Sequence, residues 1–230
     1  MSPRVTPKNR IPDIVSAAVA VFSRRGYRLT QMEEIAKEAK VSKATLYYYF
    51  KSKLHLFQYV LQIAGDSQNH FPPPEDTQAP TKQAFLQMLK RRLKEGAVLT
   101  SIAHFLQQKS KQAGVGAELE DILSELWDIN EKNRTQIIML EKSFYEFPEL
   151  AQVYDRYARK SLLQQIEGYL KTRMQQGAIR KLHSVEATAR FFMESVAWFG
   201  FKQPAQPRQL FTKQEALPDL VAILAEGLKR

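Results

Sequence analysis

An all-α fold is predicted for this chain, and three observations carry it. Apolar residues recur three and four positions apart almost throughout. No stretch alternates apolar and polar residues with the period of a strand. Helix-capping residues stand where each apolar run begins or ends. With 230 residues, 44% of them hydrophobic and 25% charged, the chain has the composition of an ordinary globular protein.

The first helix is expected from Thr6, an N-cap followed by Pro7, with Ile11, Ile14, Val15, Ala18, Val21 and Phe22 on one face and Gly26 as its stop. Thr30 then opens a second helix, Glu33 completing a capping box, and Ile35, Ala36 and Ala39 form its inner face. Ser42 caps a third helix running to Phe50, in which Leu46 and Phe50 point inward together. Ser52 caps a fourth, reaching to about residue 68 and carrying Leu56, Phe57, Val60, Leu61 and Ile63. The segment 71–80, with four prolines, cannot continue a helix and is expected to be a break. Beyond it, helices are expected over roughly 81–95, 97–112, 117–146 and 148–177, the last opened by Pro148 and closed by Gly177. A further helix should run from Ser184 to about Phe201, and a final one from Pro218 to Leu228 after a Pro/Gln loop.

Charge is unevenly spread. Residues 1–53 carry a net +7, whereas the remaining residues carry only +3 of the total of +10. A polyanionic partner for the first quarter of the chain follows from this asymmetry. The absence of cysteine removes disulfides and thiolate chemistry. The four histidines, His55, His70, His104 and His183, lack paired spacing, so no metal site or cofactor is expected. No apolar run reaches the ~18 residues of a membrane span, and no nucleophile elbow or phosphate loop is present. A non-enzymatic, soluble, intracellular protein with no membrane partner is expected.

Residues 30–53, TQMEEIAKEAKVSKATLYYYFKSK, read as two short helices around a tight turn. Once Leu46 and Phe50 are buried, Lys43, Ala44, Thr45, Tyr47 and Tyr48 remain on or near the outer side of the second of these. Such a basic helix-turn-helix suits the major groove of double-stranded DNA.

These residues resemble the DNA-binding domain of the TetR family of transcriptional regulators. The resemblance is carried by Gly26-Tyr27, Ile35-Ala36, Val41-Ser42, Thr45 to Phe50, and Lys51 to Lys53. It implies a domain over 8–68, with the helix-turn-helix at about 31–50, and a helical regulatory and dimerisation domain over 81–230. It further implies a homodimer in the bacterial cytoplasm, at the nucleoid, that represses from a palindromic operator and is released by a small-molecule effector of unknown identity. Carried over by position, Lys43, Ala44, Thr45 and Tyr48 would face base edges, and Thr30, Tyr47, Tyr49 and Lys53 would hold phosphates. Two departures stand out. Lys40 replaces the glycine usual in the turn, where a left-handed backbone would cost ~1 kcal/mol. Leu54 stands where an acidic residue commonly opens the fourth helix.

In the body, an effector pocket would be lined by Phe105, Trp127, Phe144, Tyr145, Phe191 and Trp198, although aromatics at helical spacing also serve as simple core. Val185, Ala189, Phe192, Val196 and Phe199 form an apolar stripe wider than one neighbouring helix needs, and Leu220, Leu224 and Leu228 form another. Together they are expected to form a dimer interface. The alternative function is a ligand-independent architectural or cell-division DNA-binding protein whose body contacts another protein.

Overall fold

The computed structural model describes residues 9–63, 71, 72, 74, 78–107, 114–202 and 211–229. Among them every regular element is helical. The chain divides into two compact units, one made of residues up to Leu89 together with Thr135–Val153, the other of Lys90–Arg134 and Tyr154 onward.

In the first unit α1 spans Ile11–Leu29, with Pro12 in its first turn and Asn9 Oδ1 accepting from the Ile11 amide at 3.1 Å. Thr6 and Pro7 lie outside the described residues. Gly26 does not end α1 but kinks it, at φ 74° and ψ −179°, a conformation open essentially to glycine alone. Then come α2 (Met32–Glu38), α3 (Lys43–Tyr49) and α4 (Lys53–Ile63); the expected extension of α4 to residue 68, and part of the proline segment, fall outside the described residues. The α2 start is one residue later than the spacing predicts. The Gln31 amide donates to Glu34 Oε2 at 3.2 Å, so Gln31 and Glu34, not Thr30 and Glu33, make the reciprocal cap.

Further along lie α5 (Lys82–Gly96), whose first half belongs to this unit, α8 (Arg134–Ser143) and α9 (Pro148–Tyr154). An aromatic cluster joins these elements. Phe22 and Phe57 meet edge to face at 4.9 Å, Tyr27 lies 5.1 Å from Phe57 and 5.7 Å from Phe147, and Phe85 bridges Phe57 and Phe147 at 5.9 and 6.1 Å. Such pairs contribute about 0.5–1.5 kcal/mol each beyond their burial.

The second unit holds the end of α5, α6 (Thr100–Gln107), α7 (Val115–Lys132), α10 (Lys160–Gln175), α11 (Val185–Ala197) and α12 (Lys213–Leu228). A π-helical turn, Asp155–Arg159, leads into α10, and another, Trp198–Lys202, follows α11. The continuous helix expected over 117–146 is broken at Asn133, whose side-chain amide donates to the Ile129 carbonyl at 2.8 Å, a local bond that competes with the helix ladder. The last helix starts five residues before Pro218. Thr212 and Glu215 form a capping box there, leaving the proline inside α12.

Buried at the centre of this unit, Glu118 receives two bonds from Arg173, at 2.6 and 2.7 Å, and a third from the Tyr169 hydroxyl at 2.8 Å. Arg173 also donates to the Phe105 carbonyl and to Gln176. Every oxygen of the buried carboxylate is thereby engaged, and burial pushes the Tyr169 phenol far up. At the start of α6, Glu125 accepts from the amides and hydroxyls of both Thr100 and Ser101, at 2.6–3.0 Å. Burial alone would raise this carboxyl, but the four bonds outweigh it and hold it below its ordinary value.

Candidate nucleic-acid interface

Helix α3 owes its orientation to two residues. Leu46 and Phe50, fully buried, sit four apart on the inner side; α3 packs on α2, and the Phe50 ring meets His55 and Tyr59 of α4. The opposite face then presents Lys43, Ala44 and Tyr48 outward, with Tyr48 74% exposed. Ser42 caps the helix, its hydroxyl accepting from the Thr45 amide at 3.0 Å and lying 2.8 Å from the half-buried Thr45 hydroxyl. Tyr47 is exposed. Tyr49 is half-buried, its ring edge-on to Tyr48 at 5.1 Å. Lys51 Nζ donates to the Tyr48 carbonyl at 3.1 Å, fixing a second ammonium at the end of α3 that helical spacing does not place.

Lys43 forms an exposed ion pair with Glu33 of α2. The mutual hydrogen bond holds the Glu33 carboxyl below, and the Lys43 ammonium above, its usual range. An incoming anion or base acceptor would have to compete with that carboxylate for Lys43.

The turn between the two helices is closed by the Val41 amide donating to Ala36 O at 2.9 Å and the Lys40 amide to Lys37 O at 3.1 Å, the double bond pattern of a Schellman turn. It requires a left-handed residue, and Lys40 takes it at φ 53°. The cost expected from the missing glycine is therefore present.

Two residues expected at phosphates face elsewhere. Thr30 is 1% exposed and its hydroxyl donates to Gly26 O at 2.6 Å. Lys53 turns back over α1, donating to Arg28 O at 2.9 Å and Thr30 O at 2.8 Å while its ammonium lies 4.7 Å from the centre of the Tyr27 ring. The last carbonyls of a helix lack intrahelical partners, and a lysine within reach satisfies them.

In the second unit, a cleft of about 1150 Å³ opens between the end of α5, α6 and α7. Glu95, Thr100, His104, Asp121 and Glu125 line it, with Phe105 at its wall. Of the six aromatic residues expected at a pocket, only Phe105 borders this cleft. Trp127 is buried core, stacked with Phe199 at 5.7 Å. Phe191 and Trp198 point outward, and Tyr145, on the turn after α8, is fully exposed; Phe144, half-buried beside it, belongs with it to the first unit. Glu194 pairs with Arg159 at the surface.

The expected interface stripe also turns inward. Ala189, Phe192, Val196, Leu224 and Leu228 are buried within the single chain, and Val185, Phe199 and Leu220 pack against them. Helix α11 lies on both α7 and α10, and α12 on α7, so the wide stripes have intrachain partners. What these segments leave outside is Phe191 (59% exposed), Ile223 (66%), Trp198 and Phe211. Among the described residues no group of three or more His, Asp or Glu side chains could hold a metal ion, and no helix is long and apolar enough to cross a membrane.

An N-terminal three-helix unit that buries Leu46 and Phe50 and turns Lys43, Ala44 and Tyr48 outward defines a helix-turn-helix protein. Residues 14–60 match the family model of bacterial regulatory proteins, tetR family. The HTH-type transcriptional regulator YfiR of Bacillus subtilis is 35% identical over 69 residues, 29% of this chain and 34% of that protein. The biofilm operon icaADBC HTH-type negative transcriptional regulator IcaR of Staphylococcus aureus (strain Newman) is 35% identical over 57 residues, 25% of this chain and 31% of its own. The chain thus spans about a third of the length of these curated relatives. The ketosteroid transcriptional regulator KstR2 of Mycobacterium tuberculosis shares the fold over 98% of this chain and 97% of its own, with TM-score 0.57 and 19% identity.

Proposed function

We propose that the protein is a DNA-binding transcriptional regulator, a homodimeric repressor that reads a palindromic operator and is released by a small-molecule effector. The observation that carries this is the outward face of α3, held by Leu46 and Phe50 and offering an ammonium, a methyl, a hydroxyl and a phenol in a basic surround. In this reading Lys43, Ala44, Thr45 and Tyr48 face base edges, and Tyr47 and Tyr49 reach phosphates. IcaR, a negative transcriptional regulator by name, supports the repressor sense.

The DNA-binding domain is taken as residues 8–68 and the regulatory body as 81–230, of which Thr135–Val153 pack with the first unit. A palindrome needs two-fold symmetry, and the apolar side chains left outside, Phe191, Trp198 and Ile223, suit the pairing surface better than the buried stripe does. The effector would act by favouring a spacing of the two readers that mismatches half-sites about one helical turn apart. The cleft beside Phe105 offers it mainly polar and acidic groups.

Selection of genomic DNA fragments by the purified protein at physiological salt, read by sequencing, tests this. One enriched palindrome is the expected result. Salt-sensitive binding with no enriched site would replace the repressor with an architectural DNA-binding protein.

A further inference from the structure

We infer that Lys53 is a positioning residue of the DNA reader, a bolt that fixes the start of α4 to the end of α1, and that it is not a phosphate contact. The inference rests on the DNA-binding function proposed above. Two of the three ammonium donors are spent on the Arg28 and Thr30 carbonyls, and the Tyr27 ring covers another side. Burial works against the Lys53 charge, while the charge of Glu146, in the α8–α9 turn, supports it.

The same joint reaches α8. The Tyr27 amide donates to Ser143 Oγ at 3.0 Å, and that hydroxyl donates on to Met139 O at 2.7 Å. Thr30, whose carbonyl Lys53 holds, also bonds Gly26 through its hydroxyl, and the next residue, Gln31, caps α2. Lys53 therefore ties together the two ends that set where α2 and α3 stand: the end of α1 and the beginning of α4.

The test compares the full-length wild type with Lys53→Met and Lys53→Arg, measuring thermal unfolding without DNA and duplex affinity across a salt series. The duplex is the selected operator or, if none emerges, a random-sequence fragment. For Lys53→Met the melting temperature should fall by about 3 °C or more, and affinity should drop about tenfold with the slope of log K against log salt unchanged. Lys53→Arg, which can still donate to both carbonyls, should keep most of both. A slope shallower by about 0.9, the signature of one lost phosphate, overturns the inference, as does an unchanged melting temperature. If wild type binds no duplex, the proposed function fails, while the DNA-free melting comparison still judges the joint.

Discussion

Gly26 and the carbonyl of Lys142 meet with no space between them. A Cβ on Gly26 would stand 3.0 Å from the Lys142 carbonyl carbon and nearer still to its oxygen. Backbone of α8 thus lies directly on the kink of α1.

Gly26→Ala should therefore be among the most damaging small substitutions in the first unit. It adds a methyl where only backbone could yield and imposes a side chain on a positive φ. Overpacking of this kind costs typically 1–3 kcal/mol, with backbone strain of similar size added. Chemical denaturation should show a loss of about 2–5 kcal/mol; a loss below about 0.5 kcal/mol would mean that α8 is free to withdraw.

The opposite sign is expected at Lys40. Lys40→Gly removes the left-handed penalty of ~1–2 kcal/mol but loosens the unfolded chain by about 0.5–1 kcal/mol. A net gain of a few tenths to about 1 kcal/mol should appear as a higher melting midpoint. Destabilisation would show that the Lys40 side chain makes a compensating contact.

Within the second unit, Arg173→Met strands the Glu118 carboxylate in apolar surroundings and should cost about 3–5 kcal/mol. Glu118→Leu combined with Arg173→Met removes both charges and should recover much of that loss. A double-mutant cycle by urea unfolding measures the coupling, and additivity of the two single changes would refute it.

Glu125 makes α6 sensitive to acid. Its folded-state pKa is lowered from 4.5, so the stability it contributes is fully present above that value and is lost as pH falls through the lower, folded value. Glu125→Gln should cost about 1–2 kcal/mol at neutral pH, in line with lost caps. It should also flatten the decline of stability below pH 4.5, seen by comparing unfolding at pH 7 and pH 3.5. An equal acid slope in both proteins would remove Glu125 as its source.

Pairing of two chains is tested on the outer residues. Phe191→Glu with Ile223→Glu should shift sedimentation from dimer to monomer while leaving the melting temperature nearly unchanged. Leu224→Ala, in the core, should do the reverse and cost about 2–5 kcal/mol. A dimer that survives the double glutamate variant would place the pairing surface elsewhere.

The faces of α3 could be read from sequence because they are local: Leu46 and Phe50 share a side by helical geometry alone. Lys40 was legible for the same reason, since a six-residue turn dictates its own backbone. The start of α2 lies one residue later than spacing predicts because Thr30 and Gln31 can each cap, and the buried Thr30 hydroxyl is spent on the Gly26 carbonyl. The bonds of Lys53 are invisible to local spacing because its partners, Arg28 and Thr30, stand over twenty residues away. The stripes of α11 and α12 are wide in the sequence, but periodicity records how much apolar surface a helix has and not what covers it. Their occupants, α7 and α10, are visible only in three dimensions.

Because residues 135–153 belong with the reader and not with the chain around them, the polypeptide enters and leaves the first unit more than once. No single cut after α4 yields that unit intact; a fragment ending there would lose the α8 backbone that closes over Gly26 and the Phe147 ring that packs on Tyr27. Chimeras that graft this head onto another body, or another head onto this body, must carry that second segment with them. In the proposed reading, DNA preference is to be exchanged by substitutions on the surface of α3 and not by transplanting the domain.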